Sequence, residues 1–120
     1  MTGMITSILS VLLTLFFLFA SSIKITGWQK NIFAIQLEFF HKYGLKRQHM
    51  MGVGLIELYG AVSLWLPSYP GLSGALAILI VSTGAIYCHL KYDTWKAGIP
   101  AMVTFTCSGV LGLIKFSALV

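Results

Sequence analysis

Four long apolar blocks constrain the fold of this 120-residue chain most strongly. The hydrocarbon core of a bilayer is about 30 Å thick, so a helix rising 1.5 Å per residue needs about 20 apolar residues to cross it. Each block is close to that length. Charged residues make up 9% of the chain, whereas soluble domains contain about 25%. The blocks therefore predict membrane-spanning helices at about residues 4–25, 48–66, 72–90 and 99–119.

A fifth segment, about residues 28–43, has a different pattern. Apolar and aromatic residues recur there at spacings of three and four, while Glu38 and His41 fall on the opposite face. This period is typical of an amphipathic helix, and the flanking cations favour a helix lying at the membrane interface. We predict an all-α fold: an integral membrane four-helix bundle, one domain over residues 1–120, with an interfacial amphipathic helix between spans one and two.

Glycine and proline predict where these helices begin and end. Gly27 and Gly44 are expected to stop the first span and the amphipathic helix. Two prolines within residues 67–71 predict a turn between spans two and three, since proline interrupts a continuous helix. Pro100 suits the first turn of span four.

The cations cluster in two loops. Five lie between the first two apolar blocks and two lie between the third and fourth, which contributes to a net charge of +5. The positive-inside rule then places both polar loops in the cytoplasm and both termini outside, in a bacterial inner membrane or a eukaryotic endomembrane. This placement favours the lipid bilayer as the partner of the positive charge, and we expect no nucleic acid partner.

Glu57 is the one acidic residue deep inside an apolar block. A carboxylate in hydrocarbon costs several kcal/mol unless it is paired, protonated or hydrated, so it marks a functional-site hypothesis. Lys24, His89 and Asp93 lie at the ends of neighbouring spans in the same leaflet. We expect Glu57 to face Lys24. Further hydrogen-bond candidates for the carboxylate are His89, Tyr59 and Tyr87.

The chain contains few signs of enzymatic chemistry. We find no glycine-rich phosphate loop and no haem-attachment motif, and Cys88 and Cys107 lack the spacing of metal ligands, so both are expected to be packing residues. We therefore expect no metal and no intrinsic cofactor, and the sequence indicates no catalytic residues. A lipid or a quinone is the expected kind of bound molecule.

Residues 15–113 resemble the DoxX-like family of small four-span membrane proteins. The resemblance rests on FFLFASSIKITG, on MMGVGLIELYGAVSLWLP with its central glutamate, and on GALAILIVSTGAIYCHLKYD followed by KAGIPA. The same pattern is similar to the endoplasmic-reticulum chaperone that assists nicotinic acetylcholine-receptor assembly. The resemblance implies that the characteristic polar positions are Lys24, Glu57, His89 and Asp93.

Three functions fit these observations. The first is a non-enzymatic bundle that binds a partner membrane protein or a lipid- or quinone-like amphiphile near Glu57, and its small-residue surfaces favour a homodimer. The second is a subunit of a quinone-linked membrane redox complex, with the quinone near His89 and Tyr87. The third is a small proton-coupled transporter that depends on Glu57. A purely structural Lys24–Glu57 pair is the alternative to any ligand site.

Overall fold

The computed structural model describes residues 2–119. These residues form five α-helices and no strand, which confirms the predicted all-α class. The helices are α1 (Thr2–Thr26), α2 (Lys30–Lys42), α3 (Arg47–Ser63), α4 (Ser68–Tyr92) and α5 (Ile99–Leu119).

The predicted helix ends agree with the structure at several points. Gly27 and Gly44 adopt positive φ angles of 72° and 82° directly after α1 and near the end of α2, a conformation that glycine reaches at little cost. The predicted start of span four at residue 99 is confirmed, and Pro100 lies in its first turn.

Two predicted boundaries are wrong. The helix expected over residues 48–66 ends at Ser63, because the last turn tightens: the N–H of Leu66 donates to the carbonyl of Ser63, three residues back. The turn expected over 67–71 is mostly helix, since α4 begins at Ser68. Pro70 lies in its first turn, where a backbone N–H has no partner within the helix and its absence costs nothing.

The four longer helices pack in a ring in which α1 contacts α3 and α5, and α4 contacts α3 and α5. At the α3–α4 contact, a Cβ on Gly74 would lie 2.8 Å from the backbone nitrogen of Leu64, so this close approach requires glycine. The ring encloses one apolar cluster, consisting of Leu13, Phe17, Ala61, Leu64, Ala75, Ile78 and Leu111.

The outer surface of the ring is apolar. Leu15, Ile80 and Leu113, on three different helices, are 64%, 67% and 70% exposed, as expected for side chains that face lipid. Among the described residues, α1, α4 and α5 are long and apolar enough to cross a membrane. Helix α3 has 17 residues and spans about 25 Å.

Helix α2 lies on the outside of the ring. None of its residues, Lys30–Lys42, is fully buried. The side-chain oxygen of Gln29 caps its N-terminus by accepting a hydrogen bond from the backbone N–H of Asn31 at 2.9 Å. Arg47 fixes the position of α2 relative to α1, because its Nη2 donates to the carbonyl of Ile25 at 2.8 Å and its guanidinium lies over the Phe33 ring.

Candidate functional site

A buried ion pair joins α1 to α3. Lys24 Nζ lies 3.2 Å from Oε1 of Glu57, and it donates a hydrogen bond to Oε2 at 3.4 Å. The backbones approach closely here, since a Cβ on Gly54 would lie 2.9 Å from Cβ of Lys24. The pairing of these two residues, expected from the sequence, is present in the structure.

Burial makes the geometry of this pair important. The side chains of Lys24 and Glu57 are 11% and 4% exposed. Although Oε1 of Glu57 is within ion-pair distance of Nζ, it accepts no hydrogen bond from any described residue. A buried acceptor without a hydrogen bond is costly, and a bound water, ion or ligand commonly supplies the partner of such an atom.

Beside the ion pair lies a cavity of about 390 Å³, within the range of small-molecule pockets. We call it the α2–α4 pocket. Helix α2 covers it, α3 and α4 form its sides, and Lys24 reaches it from α1. Its lining residues are Lys24, Gln36, Phe39, Phe40, Tyr43, Leu45, Val53, Ile56, Glu57, Ile80, Val81, Gly84, Ala85, Cys88 and His89.

The α2–α4 pocket has an apolar entrance and two polar acceptors. Ile56 and Ile80 line it and are 45% and 67% exposed, so the pocket opens onto the apolar outer surface between α3 and α4. Inside it, Oε1 of Gln36 is buried and, like Oε1 of Glu57, has no hydrogen-bond partner among residues 2–119. A mostly apolar wall with a few polar groups is typical of a ligand site.

A second polar cluster connects α2 to the end of α4 and is called the Asp93 cluster. The Tyr43 hydroxyl donates to Oδ2 of Asp93 at 2.7 Å, and Nδ1 of His89 lies 3.1 Å from the same oxygen. Lys42 forms an ion pair with Oδ1. The cluster therefore holds the C-terminal end of α2 over the pocket.

The electrostatics of the Asp93 cluster favour an ionised carboxylate and a protonated phenol. Desolvation opposes ionisation of Asp93, but hydrogen bonds from Lys42 and Tyr43, the Lys42 charge and a hydrogen bond from His89 lower its pKa below the ordinary value of 3.8. Burial and the adjacent Asp93 carboxylate raise the pKa of Tyr43, so its hydroxyl stays a donor.

The structure separates some of the residues that the sequence grouped together. His89, Tyr59 and Tyr87 were further candidates for a hydrogen bond to Glu57, and none of them hydrogen-bonds to it. His89 contacts Tyr43 and Asp93 instead. The Tyr59 hydroxyl bonds to Ser73, while the Tyr87 hydroxyl accepts from Lys91, because their side chains point outward and are more than half exposed.

Sequence reasoning missed the contribution of α2 to the site. Gln36 and Tyr43 belong to the helix predicted over residues 28–43, which its amphipathic periodicity assigned to the membrane interface. That periodicity does not indicate a pocket beneath the helix. The available signal was the position of Gln36, a polar residue within the apolar face of this helix.

Of the cysteines, Cys88 lines the pocket and Cys107 packs against the apolar cluster. No group of three potential metal ligands comes together within residues 2–119.

Comparison with known proteins identifies one family. The family model described as the DoxX-like family matches residues 8–114, which covers all five helices except the first turns of α1 and the end of α5. A search of the curated proteins and a search of the solved structures find no match. The similarity to the receptor-assembly chaperone therefore stays a prediction.

Proposed function

This chain belongs to the DoxX-like family and is a membrane protein, and from that premise we propose that it is a non-enzymatic protein whose α2–α4 pocket binds an amphiphile from the bilayer. The headgroup lies against Glu57 and Lys24. The tail leaves between α3 and α4 and continues into the surrounding lipid.

The observation that carries this proposal is the buried Lys24–Glu57 pair at the wall of an apolar pocket, with Oε1 of Glu57 accepting no hydrogen bond from the described residues. A carboxylate that only held α1 against α3 would be expected to use its hydrogen-bonding capacity within the protein, because burial makes every unused acceptor costly. Here Glu57 accepts one hydrogen bond, to Oε2, and its Oε1 lies 3.2 Å from Lys24 Nζ without accepting one from the described residues.

The entrance supports a ligand that arrives through the membrane. Ile56 and Ile80 are exposed on the same outer surface as the other apolar side chains of α3 and α4. An acyl or isoprenoid tail in this gap would contact apolar groups along its whole length, as it does in lipid.

The proposed membrane arrangement has four crossings. Helices α1, α4 and α5 are long enough to cross. Helix α3 is shorter but packs between α1 and α4, so it crosses with them. Helix α2 then lies at the interface on the side of Lys24 and Asp93, which the positive-inside rule assigns to the cytoplasm. A quinone-linked complex, a protein partner and a homodimer stay predictions.

The proposal is tested by filling the α2–α4 pocket. A Cβ built on Gly84 meets no atom of the described residues within 4 Å, so Gly84→Leu adds its side chain to the pocket. Gly52→Leu is the matched control, because Gly52 also has open space around it but does not line the pocket.

The measurement is native mass spectrometry of the full chain extracted from membranes in a mild non-ionic detergent. Wild type and Gly52→Leu are expected to retain a small amphiphile of one mass, and Gly84→Leu is expected to lose it. Equal adducts on all three proteins, or none on wild type, would contradict the proposal.

A further inference from the structure

We infer that the headgroup bound in the α2–α4 pocket is an uncharged hydroxyl group that donates a hydrogen bond to Glu57. This inference rests on the proposed function and specifies the class of amphiphile: a long-chain or ring alcohol rather than an amine, a fatty acid, an ether or a ketone.

The requirement that the ligand donate a hydrogen bond follows from two side-chain oxygens that accept none. Among the described residues, neither Oε1 of Glu57, which lies 3.2 Å from Lys24 Nζ, nor Oε1 of Gln36 accepts a hydrogen bond; both residues line the same cavity. An ionised carboxylate is an acceptor only, whichever way it rotates. The amide of Gln36 can present either its oxygen or its nitrogen to a ligand. Glu57 therefore restricts the ligand more strongly, because only a hydrogen-bond donor can pair with it.

Two other polar groups of the pocket are already engaged. The Tyr43 hydroxyl and Nδ1 of His89 face Asp93, so the Asp93 cluster uses them. Lys24 makes one hydrogen bond, to Glu57, and its ammonium has three donors. A hydroxyl both donates and accepts, and it can therefore donate to Oε1 of Glu57 and accept from Lys24.

The charge of the site excludes an ionic headgroup. Lys24 and Glu57 neutralise each other within a buried pair. An ammonium or a carboxylate added beside them would place an uncompensated charge in the low-dielectric interior, which is strongly unfavourable. A ketone, an ether or an oxidised quinone is neutral but offers acceptors alone, and would leave Oε1 of Glu57 without a hydrogen bond.

The test uses four probes with the same twelve-carbon tail: dodecan-1-ol, methyl dodecyl ether, dodecylammonium and dodecanoate. Each is titrated into the full chain in non-ionic detergent, and binding is followed by native mass spectrometry. Adducts that persist on Gly84→Leu are subtracted, since they do not occupy the pocket. Dodecan-1-ol is expected to bind at least about tenfold more tightly than the methyl ether and the two ions, a ratio that one hydrogen bond to a charged acceptor supports.

A double variant, Lys24→Met with Glu57→Met, replaces the pair by apolar side chains of similar length. It is expected to keep pocket adducts while the alcohol-to-ether ratio falls to about one. If this variant fails to fold, the probe series on the wild-type chain decides alone.

The outcomes separate the two proposals. Pocket adducts of equal strength for the alcohol and the ether, or strongest for dodecylammonium or dodecanoate, would overturn the hydroxyl inference and leave the amphiphile pocket intact. Adducts that Gly84→Leu does not reduce for any probe would overturn both.

Discussion

Lys24 and Glu57 form an ion pair across α1 and α3 in which one carboxylate oxygen, Oε2, accepts the hydrogen bond while the other, Oε1, accepts none from the described residues. Both side chains are almost completely buried. The pair connects two helices, and in the proposed function it also presents an acceptor to the α2–α4 pocket; experiment can separate these two roles.

The structural role is tested by a double-mutant cycle. Glu57→Gln or Lys24→Met alone is expected to lower the free energy of unfolding by about 3–5 kcal/mol, because each leaves an unpaired charge or an unmatched polar group in the interior. The double substitution is expected to cost less than the sum of the two. Unfolding in mixed micelles, followed by circular dichroism, measures all four proteins.

The interaction free energy between Lys24 and Glu57 shows whether their contact contributes to stability. A nonzero interaction free energy, of about 1 kcal/mol or more, is expected for two groups in direct contact. Strict additivity of the two single substitutions would refute the pairing.

Two glycines on α4 are expected to respond oppositely to alanine. Gly84→Ala places a methyl group in open space and should stabilise by about 0.5–1 kcal/mol through helix propensity. Gly74→Ala places a Cβ 2.8 Å from the backbone nitrogen of Leu64 and should destabilise by about 1–3 kcal/mol. Thermal unfolding in detergent compares them. A destabilised Gly84→Ala would show that the pocket is filled by protein atoms.

The Asp93 cluster predicts an acid-sensitive contact between α2 and α4. The lowered pKa of Asp93 means that its stabilisation is fully present above about pH 4, its ordinary range, and is lost as the pH falls through the lower value of the folded state. Asp93→Asn should remove this dependence. The expected result is a wild-type Tm that exceeds the variant's at neutral pH and converges with it toward pH 2.

Asp93→Asn changes one carboxyl group, so the difference in Tm between the two proteins is the quantity to follow. Glu38 and Glu57 are present in both and cancel in that difference. A gap in Tm that stays constant from pH 7 to pH 2 would show that Asp93 does not contribute through its charge.

The Tyr43 hydroxyl is expected to hold α2 over the pocket. Tyr43→Phe removes the donor to Asp93 and the contact with His89, a loss of about 1.5–3 kcal/mol for a hydrogen bond to a charged group. Amide exchange in α2 should then be roughly tenfold faster. Tyr59→Phe is the control, since its hydroxyl bonds to Ser73 outside the pocket. Unchanged exchange in Tyr43→Phe would contradict this role.

The sequence predicts the helices of this protein well because membrane helices follow from length and hydropathy alone. It also predicts the contact between Lys24 and Glu57, since an acid inside an apolar helix needs a partner at its own depth. The end of α3 and the start of α4 were predicted less well. Both depend on how a proline-containing turn packs against its neighbours, which local composition does not determine.

The α2–α4 pocket could not be predicted from the sequence. The period of α2 specifies an apolar face but not what that face covers. Tyr43 is recruited to Asp93 across 50 residues of sequence, and open space beside Gly84 results from how three helices are placed relative to one another. Gly74 and Gly84 cannot be distinguished by the sequence. In the structure, Gly74 permits close packing of α3 and α4, whereas Gly84 borders the cavity.

Photocrosslinking tests the central claim, an amphiphile in the α2–α4 pocket, most directly. A dodecanol analogue with a diazirine next to its hydroxyl group is incorporated with the full chain into phosphatidylcholine nanodiscs and irradiated, and the adducts are located by peptide mass spectrometry. The expected adducts lie on Gln36, Val53, Ile56 and Val81 beside Glu57, and they disappear in Gly84→Leu but persist in Gly52→Leu. Labelling spread evenly over the exposed apolar side chains, and equal in all three proteins, would contradict the claim.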